Sequence, residues 1–256
     1  MNFVKASRCT SVRGLRPRPI ASLSPPIFIR QSGQKLFSTT IMAASPQRYF
    51  EKPALFICDM QEVFRKHIWQ FDKILLTTQK MLEAAQILNI PVYVTTQNAA
   101  KLGDTVPELK DLTASAAVVA DKTAFSMLRA PELAAHFPPL TAVAGKEASE
   151  VVIVGIESHI CVTQTSLDLL ARGHRVYVLA DGVSSCNPQE IDIALARLRA
   201  AGAVVTTSES WIYQCMGDAA IPEFKGIAKL VAKTKADTKS TLETLLGAAE
   251  NRDSKL

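Results

Sequence analysis

One cysteine stands where an enzyme would place a nucleophile. In Val151-Val-Ile-Val-Gly-Ile-Glu-Ser-His-Ile-Cys161-Val-Thr-Gln-Thr165 an apolar, β-branched run ends at Gly155, and Cys161 follows at the start of a helical pattern. In the first turn of a helix, unpaired backbone N–H groups and the positive end of the dipole favour a thiolate, the form that attacks carbon. A cysteine among apolar residues is also commonly a small buried hydrophobe, and this stretch alone leaves both readings open.

Two further polar residues follow apolar runs. Asp59 comes after Ala54–Cys58, where a carboxylate can take a proton or cap a turn. Lys122 comes just after Ala117–Ala120, where an ammonium can steady an anion or sit solvated on a loop. Acid, cation and thiol at three strand ends form a set with a mechanism, nucleophilic attack by an activated sulfur. Gln61, Phe64, Trp69 and Phe125 flank these residues and are candidates to bind substrate, although Phe64 and Phe125 suit core packing equally well.

The elements that must position this set are legible as alternating patterns. Six short runs read as strands: Ala54–Cys58, Val92–Thr96, Ala117–Ala120, Val151–Gly155, Arg175–Ala180 and Ala203–Thr207. Helical spacing of apolar residues marks Phe71–Asn89, Ile160–Arg172 and Pro188–Ala201, with a shorter helix opened by Pro131. Alternation of this kind predicts a parallel sheet covered by helices on both faces, with ligands bound beyond the carboxyl ends of the strands. From Lys233 onward Lys, Asp, Glu, Thr and Ser predominate, so residues 233–256 read as a flexible tail or a peripheral helix.

The net charge of +5 in 256 residues is concentrated in the leader. Residues 1–50 hold eight basic side chains and no acidic one; the remainder carries 21 basic against 24 acidic residues. A mildly acidic body gives no electrostatic reason to bind nucleic acid. An Arg- and Ser-rich leader without carboxylates has the composition of a mitochondrial transit peptide, here residues 1–42, and predicts delivery to the matrix. Met42 is positioned to start a shorter cytosolic form. The five cysteines form no CxxC pair, which implies a reducing compartment, and no apolar run is long enough to span a bilayer.

The motifs Cys-Asp-Met-Gln at 58–61, Asp-Lys-Thr-Ala-Phe-Ser at 121–126 and Gly-Ile-Glu-Ser-His-Ile-Cys-Val-Thr-Gln-Thr at 155–165 resemble the isochorismatase-like cysteine hydrolase superfamily, in its isochorismatase-domain-containing branch. The resemblance implies a three-layer α/β/α sandwich over residues 50–232, with a six-stranded parallel sheet in the order 3-2-1-4-5-6. It assigns Asp59, Lys122 and Cys161 as a triad that hydrolyses a small amide, ureide or ester, at C–N bonds other than peptide bonds, through a thioester-type intermediate. A non-proline cis peptide between Ile156 and Glu157 is also implied, with the backbone N–H groups of Glu157 and Cys161 as the oxyanion hole. A homo-oligomer is expected on the same ground. Metal-binding relatives carry an Asp-x-His motif after the second strand, where this chain has Asn98 and no histidine. His67, His136, His159 and His174 show no ligand spacing, and no nucleotide-binding loop occurs, so neither metal nor cofactor is expected. The alternative is a catalytically silent binding or interaction protein on the same fold. A redox role for Cys161 is weaker, because no resolving cysteine follows it in a CxxC pattern, though Cys186 could approach through the fold.

Overall fold

The computed structural model describes residues 48–142 and 147–247. The leader assigned to residues 1–42, including Met42, lies outside them. The expected alternation is realised in chain order: β1 (Pro53–Cys58), α1 (Phe71–Leu88), β2 (Val92–Gln97), the short α2 (Ala99–Leu102) and α3 (Pro107–Thr113), then β3 (Val118–Lys122) and α4 (Pro131–Ala134). The second half runs β4 (Glu150–Ile156), α5 (Thr163–Ala171), β5 (Arg175–Ser184), α6 (Pro188–Ala200), β6 (Val204–Thr206), α7 (Ser208–Met216) and α8 (Phe224–Leu245). The strands form one six-stranded sheet in the order β3-β2-β1-β4-β5-β6, and every neighbouring pair is parallel.

Two apolar cores arise because successive strand residues face opposite sides of the sheet. Leu55 and Ile57 of β1, with Val152 and Val154 of β4, pack on one face against Ile74, Leu82 and Ala85 of α1 and Trp211 of α7. Phe56 and Cys58, with Val151 and Ile153, face the other side, toward Leu169 of α5 and Leu195 and Leu198 of α6. Burying each large aliphatic side chain stabilises the fold by about 1.5–3 kcal/mol before chain entropy is counted. Strands buried on both faces explain why their sequences read as continuous apolar runs instead of alternating ones.

The central strands converge tightly at the carboxyl edge. Cys58 of β1 is in register with Thr95 of β2 on one side and Gly155 of β4 on the other. Gly155 has φ +114°, and a β-carbon there would collide with the Cys58 backbone carbonyl, so only glycine fits where β4 passes β1.

Two boundaries differ from the sequence reading. β3 continues through Lys122, whose Cα pairs with that of Gln97, so the lysine is on the strand and not on the loop after it. Of the two readings of the tail, residues 233–245 follow the helical one: they are the second half of α8, packed on α1. Composition obscured this half of α8 because polar contacts help to hold it: the buried Lys80 ammonium donates to Thr238 Oγ1 at 2.8 Å, and Lys73 Nζ donates to Ser240 Oγ at 2.6 Å. Burial holds Lys80 below the ordinary lysine value. Thr238→Val keeps the branched shape but removes the acceptor, and is expected to cost about 1–3 kcal/mol in urea denaturation. An unanchored segment would show no loss.

Candidate active site

The first strand ends in a sharp turn that aims a carboxylate inward. Asp59 has φ +52°, a left-handed conformation that Asp tolerates better than most residues. Its N–H donates to the Thr95 carbonyl at 3.2 Å, and its side chain is buried. The carboxylate does not cap the turn. Its Oδ2 accepts from Lys122 Nζ at 2.7 Å, and its Oδ1 accepts from the Thr95 hydroxyl at 2.8 Å.

Lys122 completes the set. Its ammonium also donates to Gln97 Oε1 at 2.7 Å and stands 3.9 Å from Cys161 Sγ. Burial alone would pull this lysine down, but the surrounding acidic groups Cys58, Asp59 and Cys161 outweigh it and hold it above the ordinary lysine value. The three residues expected from the strand ends are thus brought together, Asp59 and Lys122 with side chains only 2% and 1% exposed.

Cys161 reaches this pair by a route that helical periodicity did not foresee. Residues Ser158–Val162 form a π-helical turn before α5 begins at Thr163, so Cys161 lies one turn earlier than the regular helix. The wider loop closes with the Val162 N–H donating to the Glu157 carbonyl at 3.2 Å. Thr163 Oγ1 donates to the Ser158 carbonyl at 2.6 Å, and Thr165 Oγ1 accepts from the Met127 N–H at 2.9 Å, tying the turn to the segment after β3. The Thr-Gln-Thr spacing is therefore a set of anchors. π turns recur at functional sites because the extra residue re-aims a side chain. The peptide between Ile156 and Glu157 is cis, as the resemblance implied.

Beside these three residues lies a pocket of about 180 Å³, lined by Asp59, Phe64, Gln97, Phe125, Ile156, Glu157, Ile160 and Cys161. Phe64 and Phe125 line it as expected, with Phe125 half exposed at the rim. Gln61 does not. It is fully buried: its amide donates to the carbonyls of Gln97 (3.2 Å) and Gly103 (2.7 Å), and its Oε1 accepts from the Gln97 N–H at 2.6 Å. Gln61 thereby ties the end of β2 at Gln97 to Gly103, and Trp69 packs against the core instead of lining the pocket. The residue missed was Gln97, whose signal was available only through register, because it ends β2 directly beside Lys122.

Side-chain atoms close enough to share a cation occur twice among the described residues, in Cys58, Asp59 and Cys161 and in Glu157, His159 and Cys186. In the first, the Lys122 ammonium already holds the carboxylate oxygen that would face a cation. In the second, Glu157 Oε2 accepts from the Cys186 N–H at 2.8 Å, and His159 Nδ1 lies 2.9 Å from Ser185 Oγ. Asn98 has φ +46° and precedes α2, whose first N–H, that of Ala99, is accepted by Asp121 at 2.9 Å.

An α/β/α sandwich with a cysteine over a buried carboxylate–lysine pair defines a class of hydrolase-like folds, and the comparisons with known proteins narrow it. Residues 53–210 match the model of the isochorismatase domain. The chain is 46% identical over 179 residues to the secreted isochorismatase effector Isc1 of Phytophthora sojae, covering 69% of this chain and 83% of that one. It is 40% identical over 202 residues to isochorismatase domain-containing protein 2 of Homo sapiens, covering 79% and 91%. Among solved structures, the MAR1 ribonuclease of Caenorhabditis elegans superposes with TM-score 0.62 at 41% identity, covering 71% of this chain and 90% of that one. The chain belongs to the isochorismatase-like hydrolase family.

The ion pair has a measurable signature. Lys122→Met strands the Asp59 carboxylate without its counter-charge and is expected to cost about 3–5 kcal/mol near neutral pH. Because the folded lysine sits above its ordinary value of 10.5, its contribution is complete below that pH and fades as pH rises through the folded value. Paired denaturation curves should therefore show the gap between wild type and variant closing on the alkaline side. A constant gap would mean that the charge of Lys122 is not what stabilises.

Proposed function

We propose that the protein is a metal-independent cysteine hydrolase acting on a small amide, ureide or ester, with C–N bonds other than peptide bonds preferred. The observation that carries this is the meeting of Cys161 Sγ, Lys122 Nζ and the Asp59 carboxylate beneath a pocket that Cys161 itself lines. Asp59 takes the thiol proton, and Lys122 steadies the resulting thiolate. The sulfur attacks the carbonyl carbon, and the backbone N–H groups of Glu157 and Cys161 receive the developing oxyanion; in comparable hydrolases one such donor is worth roughly 10²–10³ in turnover. The amine or alcohol leaves with the proton held on Asp59, and water then hydrolyses the thioester.

The pocket supports a small substrate with an apolar portion. Phe64, Phe125, Ile156 and Ile160 supply apolar walls, and Gln97 supplies an amide edge. A nucleic-acid substrate, as the description of the Caenorhabditis elegans neighbour would indicate, calls for cations free to meet phosphates. Lys122, whose ammonium already binds Asp59 and Gln97, does not offer that. Metal independence is supported by Asn98 and by the placement of two of the histidines, His136 beside Tyr93 and His174 beside Ser149 and Pro138. The basic, carboxylate-free leader supports delivery to the mitochondrial matrix, and assembly as a homo-oligomer belongs to the same reading.

Incubation with a panel of small amides and esters, followed by intact-mass measurement, should reveal an acyl adduct that maps to Cys161. Cys161→Ala should lower turnover of any substrate so found by roughly 10³-fold or more. Cys161 should also be the first thiol alkylated by iodoacetamide at neutral pH. The comparison is stringent because Cys186 is the more exposed, though its thiol is pushed up by the hydrogen bond to Glu157. Full activity in Cys161→Ala would sink the mechanism; equal labelling without any adduct would favour a binding protein on this fold.

A further inference from the structure

Cys58 is a buried thiol against the site for which the proposed hydrolysis has no task. It is the last residue of β1 and fully buried, and its thiol donates to Asp59 Oδ2 at 3.7 Å. Its sulfur, the sulfur of Cys161 and a carboxylate oxygen of Asp59 all lie within 4.8 Å of one another. Cys58 ends a strand and Cys161 lies in the turn that follows the neighbouring strand. Cys58 is aligned with Gly155 of β4, and the π turn after β4 folds Cys161 back over the end of β1 on the same face of the sheet.

Their surroundings give the two sulfurs different characters. Cys161 opens to the pocket and faces the Lys122 ammonium. Cys58 is sealed from the pocket, and burial, the contact with Cys161 and the Asp59 charge all push its thiol well up. Sulfur oxidation therefore begins at Cys161, with Cys58 beside it to receive the consequence.

We propose that Cys58 and Cys161 form a reversible disulfide, in which Cys58 resolves a sulfenic acid produced on Cys161 by a hydroperoxide. In the first step the Cys161 thiolate attacks the distal peroxide oxygen. The O–O bond breaks, an S–O bond forms, the sulfur loses two electrons and the peroxide leaves as alkoxide or hydroxide, which takes a proton from water. In the second step Cys58 sulfur attacks the sulfur of Cys161. The S–O bond breaks, hydroxide departs as water, and the Cys58 proton reaches it through Asp59, already the acceptor of that S–H. A dithiol reverses the change by exchange, restoring both thiols and itself becoming the disulfide. The pair protects Cys161 from the irreversible sulfinic stage. That the disulfide silences the enzyme rests on the proposed nucleophilic role of Cys161; the disulfide itself does not.

The test uses the full-length protein, reduced, freed of reductant and treated with equimolar hydrogen peroxide. After alkylation and digestion without reductant, mass spectrometry should find the peptide bearing Cys58 joined to that bearing Cys161, and dithiothreitol should separate them. In Cys58→Val, and in Cys58→Ala should the valine variant fail to fold, Cys161 should instead be trapped by dimedone and pass to sulfinic acid severalfold faster than in wild type. Cys161 reaching the sulfinic stage equally fast with and without Cys58, or pairing with Cys186, overturns the proposal. A joined peptide accompanied by unimpaired turnover would leave the disulfide standing and remove Cys161 from the hydrolysis.

Discussion

The site is organised around one buried ion pair, Asp59 with Lys122. Withdrawing two charges from water costs several kcal/mol per ion, and attraction at 2.7 Å offsets this only where the remaining donors and acceptors are also satisfied. The surroundings meet that demand. The Thr95 hydroxyl takes the second carboxylate oxygen, and Gln97 takes a second ammonium proton. Gln61 holds the backbone of Gln97 in place, and Gln97 Nε2 donates to the Thr123 carbonyl just beyond Lys122. What resembles a set of separate polar contacts is a single chain of obligations that begins with the decision to bury a carboxylate.

A pair of this kind is seldom a net source of stability, since apolar residues of similar size commonly do as well. Its distinctive effect falls on a third atom. The ammonium is held by two oxygens and still faces Cys161 Sγ, so the field around the sulfur is set by groups with little freedom to move. Rigid placement of charge next to a reacting atom avoids reorganisation at the moment of reaction. The parallel sheet supplies that rigidity, because Asp59, Gln97, Lys122 and the start of the π turn all stand at the carboxyl ends of strands β1 to β4.

How much of this was visible in the sequence depended on the range of the interaction concerned. The central strands were legible because burial on both faces leaves a run dominated by apolar residues, and Asp59 and Cys161 stood out by following such runs, Lys122 by following a shorter one at the sheet edge. Strand order was legible only through family resemblance, since periodicity carries no information on which strands are neighbours. Gln61 looked like a pocket residue because it follows Asp59 closely; its real partners, Gln97 and Gly103, are distant in the chain and come near only when β2 lies beside β1. The second half of α8 was hidden for a different reason. Its anchors include hydroxyls meeting the buried Lys80 and the partly exposed Lys73, and a threonine that satisfies a buried ammonium has the same composition signature as one that faces water.

The π turn at Ser158–Val162 amounts to one residue more than a regular helix would use. An α-helix advances about 100° per residue, so this surplus fixes the phase of everything before Thr163 against everything after it. Removing a single residue from the turn would shift that phase by roughly a quarter of a circle, and with it the aim of the thiol at Lys122. The chemistry of the pocket is thus encoded partly as a count. Two chains of this family could share every side chain discussed above and differ in capability through the length of this turn alone.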